Sequence, residues 1–343
     1  MNNKEEVLNN FNKWFINFDY KTHKARMIND YYLEPICENA QIHVTRKCNF
    51  TCVQCTRQEL YGDSNQAPNM DFELFKTILN KLPKSVKNID MTSFGEAGMH
   101  PNYEEMLQLI KASGRTLSAF CNGSMFKLSH LKYFDTLIFS LDGVNKELLE
   151  RIRKGVNGNN LLQKIIDTVQ LRNKEKYNTN IQINFIMGHE NASDITNVFE
   201  FCEVAGIDEL RLTPYLNLYS PLDEGWHDMN KELVKSNDFV DWKWTIDSYC
   251  NKNYNFKLTA WYPRDNYKGI CLYGAWRVVI DVDGSLRDCC FYYNNNPRVF
   301  GNLKEQSFEE IFYGEEMSKF REAHMNDLPL DNCDGCNLGK GIR

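Results

Sequence analysis

No stretch of the 343-residue chain approaches the ~18 consecutive apolar residues of a membrane span, and its first residues, MNNKEEVLNNFNKWF, hold no apolar run of signal-peptide length. Both absences predict a cytoplasmic protein with no membrane partner. A basic excess is missing too: 40 Lys and Arg against 46 Asp and Glu give a formal charge of −6, which argues against a general nucleic-acid binder. There is no internal repeat and no low-complexity segment. With 42% hydrophobic and 25% charged residues the composition is that of a globular protein and excludes disorder, collagen and coiled coil. At roughly 150 residues per domain the length suggests about two domains.

What the chain has in quantity is cysteine, twelve in all. In a reducing compartment disulfides are disfavoured, so clustered thiols point to metal binding or redox chemistry.

From residue 41, strand-like and helix-like patterns alternate. Strands are predicted at 41–45, 88–92, 117–121, 136–142, 181–187 and 209–215, with helices at 72–82, 103–112, 161–174 and 194–205 between them. Asp71 is a candidate N-cap for the first of these helices. Such alternation predicts a parallel α/β class, with ligand-binding loops at the carboxyl ends of the strands. The periodicity becomes irregular after Asn217. RVVIDVDGSLRDCC (277–290) then reads as a hairpin turning at Asp283-Gly284, and 307–323 as one amphipathic helix before a Cys-rich tail. Expected divisions are an N-terminal helical extension (1–38), an α/β domain (39–219), and a linker with a C-terminal domain (220–343).

Cys48, Cys52 and Cys55 form C-x3-C-x2-C directly after the first strand. Three thiolates from one loop hold three irons of a [4Fe–4S] cluster and leave the fourth open to a ligand. A zinc site, with His43 nearby, is the alternative reading of these residues.

Here the chain resembles the radical S-adenosylmethionine (SAM) superfamily, whose signature is this triad in this loop. Phe94-Gly95-Glu96 is similar to the family's Gly-Gly-Glu segment, which holds the SAM amino group, and Asn122-Gly123 follows the third strand as family members commonly have it. Ser140 in FSLDG and Arg153 in ERIRKG fall where relatives hold the SAM carboxylate. The resemblance covers roughly residues 41–215 and implies a partial (β/α)6 TIM barrel. It implies as cofactors a [4Fe–4S] cluster and SAM, cleaved to a 5′-deoxyadenosyl radical that abstracts hydrogen. Two positions depart from the pattern: Gln54 stands where the family has an aromatic residue, and Phe94 where it has the first glycine.

Cys271 and Cys289, in C-x12-G-x4-C, precede Cys333-x2-Cys336. Four thiolates close a zinc site or a second cluster equally well by spacing. Their order resembles the twitch/SPASM-type auxiliary domain, an α+β fold, which implies a second [4Fe–4S] cluster ligated by these four. In layout the chain is similar to the twitch-bearing butirosin-pathway alcohol dehydrogenase.

Five cysteines remain: Cys37, Cys121, Cys202, Cys250 and Cys290. Cys202 shares an apolar stripe with Val198, Phe199 and Ala205 and is expected in the core. Cys121 and Cys290 are candidate hydrogen donors to a substrate radical, with a packed strand residue the plain alternative for Cys121. If Cys289 and Cys290 lie in a strand, they point to opposite faces. Tyr215, Trp226, His227, Trp261, Tyr262 and Arg264 are candidates for a substrate pocket. The expected function is hydrogen abstraction from a small polar metabolite (sugar, aminocyclitol or nucleotide sugar) leading to dehydrogenation or epimerisation, with flavodoxin or ferredoxin as electron donor. Modification of a ribosomally made peptide and a non-catalytic zinc protein are the alternatives.

Overall fold

The computed structural model describes residues 36–188, 190–214, 252–260, 273, 276–290 and 298–325. In chain order the elements begin with β1 (Asn39–Ile42), α1 (Arg57–Tyr61), α2 (Phe72–Lys81), β2 (Asn88–Asp90), α3 (Tyr103–Ala112), β3 (Thr116–Cys121) and β4 (Thr136–Ser140). They continue with α4 (Lys146–Ile152), α5 (Gly158–Glu175), β5 (Asn180–Met187), α6 (Ile195–Ala205), β6 (Glu209–Pro214) and β7 (Lys257–Ala260). Last come β8 (Arg277–Ile280), β9 (Ser285–Arg287), β10 (Val299–Asn302), α7 (Phe308–Phe312) and α8 (Glu315–Met325).

These elements form two compact units. One comprises 1–42, 70–89 and 263–343; the other comprises 43–69 and 90–262. In the first, the strand order is β10-β9-β8-β1-β2. β8 and β9 form the expected antiparallel hairpin, with Gly284 at φ 86° in its turn, a conformation that favours glycine. The hairpin does not stand alone: β8 pairs in parallel with β1, Asn39 to Arg277 through Ile42 to Ile280. Helix α2 starts where Asp71 accepts from the Leu74 N–H. Near its end, Lys81 Nζ donates to the Leu303 and Gln306 carbonyls at 2.6 and 2.8 Å, tying α2 to the turn before α7.

The single helix expected over 307–323 is two. Ser307 and Glu310 make a capping box that starts α7. Gly314 then separates it from α8, in a backbone conformation where a Cβ would lie 2.5 Å from the Glu310 carbonyl oxygen.

In the second unit β3-β4-β5-β6-β7 are all parallel. Helix α3 buries Tyr103, Met106, Leu107 and Ile110, the stripe that its 3-4 spacing predicts. Each such side chain contributes about 1.5–3 kcal/mol on burial. Helix α6 buries Val198, Phe199 and Cys202 and ends at Gly206, which adopts φ 76° as a left-handed cap. Four elements had no periodic signal and were not expected: α1, α4, β7 and β10. Each has only four to seven residues, too short for periodicity to register. Among the described residues no helix is long and apolar enough to cross a membrane.

Candidate active site

The loop with Cys48, Cys52 and Cys55 belongs to the second unit and is held by its backbone. The Cys48 N–H donates to Ser64 Oγ at 2.8 Å, and that hydroxyl donates to the Cys48 carbonyl at 2.7 Å. Thr51 and Val53 N–H groups donate to the Lys154 and Ile152 carbonyls, both at 2.9 Å, lacing the loop to the end of α4. Arg57 is buried and donates to the Arg46 and Gly62 carbonyls, which closes the loop from below.

Burial raises the Cys48 and Cys52 thiols, Cys52 to about 12. Arg153 lowers the Cys52 value and Arg57 the Cys48 value, whereas the neighbouring thiols raise both and Asp142 raises Cys52 further. Asn122 Nδ2 also approaches Cys48 Sγ at 3.9 Å. Among the described residues no three His, Cys, Asp or Glu side chains converge on a single ion.

Gly95 and Glu96 lie beside this loop. A Cβ on Gly95 would fall 2.5 and 2.6 Å from the Thr45 and Lys47 carbonyl oxygens, so the backbones meet where a side chain cannot fit. The Glu96 N–H donates to the Lys47 carbonyl at 2.7 Å. Its carboxylate accepts the Asn122 backbone N–H at 2.8 Å. Burial pushes the Glu96 carboxyl up to about 7, against the lowering effects of that N–H and of Arg153.

The folded value thus lies above the ordinary 4.5, so the folded state holds the proton more tightly than the unfolded state. Stability is full below the unfolded value and falls as pH rises towards 7. For the metal-free protein we expect this group to remove about 3 kcal/mol between pH 4 and 8. Urea midpoints across that range test this: Glu96→Gln should flatten the slope, and an unchanged slope would assign the titration elsewhere.

Ser140 is half-buried at the carboxyl end of β4. Arg153 caps α4 and is buried, its Nη1 2.7 Å from Asp142 Oδ2. Gln54 Nε2 donates to the same oxygen at 2.7 Å, and the Ile186 N–H reaches Asp142 Oδ1 at 3.0 Å. Burial alone would lower the arginine's pKa; Asp142, Cys52 and Cys48 together outweigh it and the guanidinium stays charged. Asp142 was not singled out from the sequence, although its place in FSLDG, two residues past a strand end, was the available signal. The other departure, Phe94, packs 5.9 Å from the Tyr61 ring, over which the Arg46 guanidinium lies at 4.2 Å.

Of the second cysteine set, Cys289 is described and half-buried; Cys271, Cys333 and Cys336 lie outside the described residues. Cys290 Sγ is 2.7 Å from the Tyr273 hydroxyl. Both cysteines follow β9, which ends at Arg287, so strand alternation does not set their directions. Cys121 is buried at the end of β3, Cys202 is in the core, and Cys37 is buried with its thiol pushed up to about 12. Cys250, Tyr215, Trp226, His227, Trp261, Tyr262, Arg264 and residues 1–35 lie outside the described residues.

Residues 42–202 match the Radical SAM superfamily, and residues 271–337 match SPASM, an iron–sulfur cluster-binding domain. The chain is 24% identical over 328 residues to the "Tungsten-containing aldehyde ferredoxin oxidoreductase cofactor-modifying protein" of Pyrococcus furiosus, covering 87% of this chain and 86% of that one. It is 25% identical over 275 residues to a "Probable GTP 3',8-cyclase" of Metallosphaera sedula, covering 76% and 83%. Its fold is similar to that of Streptococcus suis SuiB bound to precursor peptide SuiA, with a TM-score of 0.68 at 13% identity over 94% of this chain and 74% of that one.

Proposed function

The chain belongs to the radical SAM superfamily and carries a C-terminal SPASM iron–sulfur domain, and from that premise we propose that it abstracts hydrogen from a small polar metabolite to complete a dehydrogenation or an epimerisation. Its cofactors are a SAM-binding [4Fe–4S] cluster, SAM and auxiliary iron–sulfur chemistry. When bound and reduced they supply a 5′-deoxyadenosyl radical and, for a dehydrogenation, an acceptor for the substrate's second electron.

The observation that carries the reading is that one unit holds the Cys48, Cys52 and Cys55 loop beside buried Glu96 and Arg153, the Glu96 N–H bonding the Lys47 carbonyl and the Val53 N–H the Ile152 carbonyl. In this proposal the three cysteines hold the SAM-binding cluster. Gly95 and Glu96 receive the SAM ammonium, and Ser140 and Arg153 its carboxylate. Cys271, Cys289, Cys333 and Cys336 hold the auxiliary cluster. In the epimerisation branch Cys290 and Cys121 are the hydrogen-donor candidates. The electron donor is a flavodoxin or ferredoxin.

A metabolite is favoured over a peptide because two relatives spanning most of this chain are named for a cofactor and for GTP. The likeness to the peptide-bound SuiB structure, at 13% identity, speaks for the fold alone.

Anaerobic reconstitution should load about eight irons if both clusters have four. Reduction with SAM should then release 5′-deoxyadenosine, and zinc in place of iron would refute the radical reading. With a turned-over metabolite in deuterated solvent, deuterium at an inverted carbon marks epimerisation, and a product two hydrogens lighter marks dehydrogenation. Turnover confined to a peptide would overturn the metabolite assignment.

A further inference from the structure

The parallel strands of the second unit have two unlike faces. Leu137, Phe139, Ile181, Ile183, Leu210 and Leu212 are fully buried on one of them. A Cβ on Gly123 would touch both Phe139 and Leu161 of α5, so this is the face that the helices cover. On β5 and β6 the intervening positions are polar, whereas on β4 Ile138 lies between Leu137 and Phe139. Ser140 stands opposite Asn184, Asn184 opposite Arg211, and Arg211 opposite Thr259, a single register row across four strands.

The curvature of this face can be read from one contact. The Arg211 guanidinium lies 5.5 Å from the ring of Phe120 on β3. Three interstrand steps separate β3 from β6, about 14 Å of flat sheet. Such an approach requires the sheet to curl, so the polar face is the concave one.

One step towards the amino ends, Gln182, Glu209 and Lys257 form the row below. The Glu209 carboxylate accepts from Thr259 Oγ1 at 2.8 Å and Gln182 Nε2 at 3.3 Å, and pairs with Lys257 Nζ at 3.3 Å. In the upper row, Asn184 Oδ1 accepts from Thr213 Oγ1 at 3.1 Å, which orients its NH2 as a donor. A guanidinium beside an amide NH2 on a concave, half-buried wall offers donors to an oxyanion, and the fork of an arginine matches a carboxylate or a phosphate.

We propose that Arg211 and Asn184 hold an acidic group of the substrate, a carboxylate or a phosphate, on the strand wall next to Ser140. This deepens the metabolite reading above and rests on it: the substrate is an anionic small molecule, anchored beside the residue assigned to SAM.

The test is calorimetric titration of the reconstituted enzyme with saturating SAM. Inorganic phosphate and malonate are the two probes, with chloride at matched ionic strength as the control. Binding of either probe above chloride is expected, and the tighter one identifies the acidic group. Arg211→Met should weaken it about tenfold or more, and Arg211→Lys, which keeps the charge and loses the fork, by less. Asn184→Ala should weaken it about threefold and carries the test if the arginine variant does not fold. Probe binding no better than chloride, or undiminished in Arg211→Met and Asn184→Ala, overturns the proposal. An equal loss of SAM affinity in Arg211→Met also overturns it, by making Arg211 a SAM ligand. Absence of 5′-deoxyadenosine in the wild type would instead strike the radical reading, while leaving the anion measurement legible on its own.

Discussion

Cys52→Ala is expected to abolish reductive SAM cleavage while leaving the fold in place. The two properties separate because the loop is positioned by its main chain. The Thr51 and Val53 N–H groups on either side of Cys52 bond the Lys154 and Ile152 carbonyls, and the Cys55 N–H bonds the Cys52 carbonyl. None of these uses the Cys52 sulfur. Removing a thiol whose protonated form is favoured in the metal-free protein, at about 12, also removes no charge from the folded apo state.

The urea midpoint of metal-free Cys52→Ala should therefore stay near that of the wild type, whereas iron at the SAM-binding site and 5′-deoxyadenosine should both be lost. Cys202→Ala gives the opposite pattern. That sulfur is fully buried on α6, so its loss should lower stability by about 1–2 kcal/mol and leave SAM cleavage intact. If Cys52→Ala retained cleavage, Cys52 would not be a ligand.

Much of the framework was legible because its signals are local. Asp71 capping α2 and the 3-4 spacings in α3 and α6 each need only a few consecutive residues. The cysteine triad was legible for the same reason. What was not legible depends on residues distant in the chain. Asp142 is met by Gln54, Arg153 and Ile186, and only the fold brings those three together.

The polar strand positions were a signal that was present and passed over. Parallel strands covered on both faces read as continuous apolar runs, yet Gln182 and Asn184 alternate with isoleucines, and Glu209 and Arg211 with leucines. That alternation marks a face turned towards something other than a helix. The split of the last helix was likewise visible at Gly314 and in the apolar spacing, because Met317 and Phe320 fall on nearly the opposite side of a continuous helix from Phe308, Ile311 and Phe312.

The second large effect is expected at Asp142, for which Asp142→Ala should cost about 3–5 kcal/mol. Asp142 has no exposed side-chain surface and Arg153 only 8%. Deleting the carboxylate strands a guanidinium in a site that water does not reach, and its charge cannot be relieved by deprotonation. It also leaves Gln54 Nε2 and the Ile186 N–H without their acceptor. Asp142→Asn is informative because its shape is conserved and its charge is not: an NH2 turned towards Arg153 and Gln54 opposes two donors, and one turned the other way opposes the Ile186 N–H. It should recover little. The double variant Asp142→Leu with Arg153→Leu should recover more stability than either single change predicts, because no buried charge is left over.

Stability and SAM affinity then part. The double variant lacks the guanidinium assigned to the SAM carboxylate, so it should stay folded and bind SAM weakly, whereas Gln54→Leu keeps the ion pair and should lose only about 1 kcal/mol. Urea midpoints with SAM equilibrium dialysis on the four variants separate these outcomes. A wild-type midpoint for Asp142→Ala would show that the ion pair does not hold the loop to the strand ends, and wild-type SAM affinity in the double variant would remove Arg153 from the SAM site.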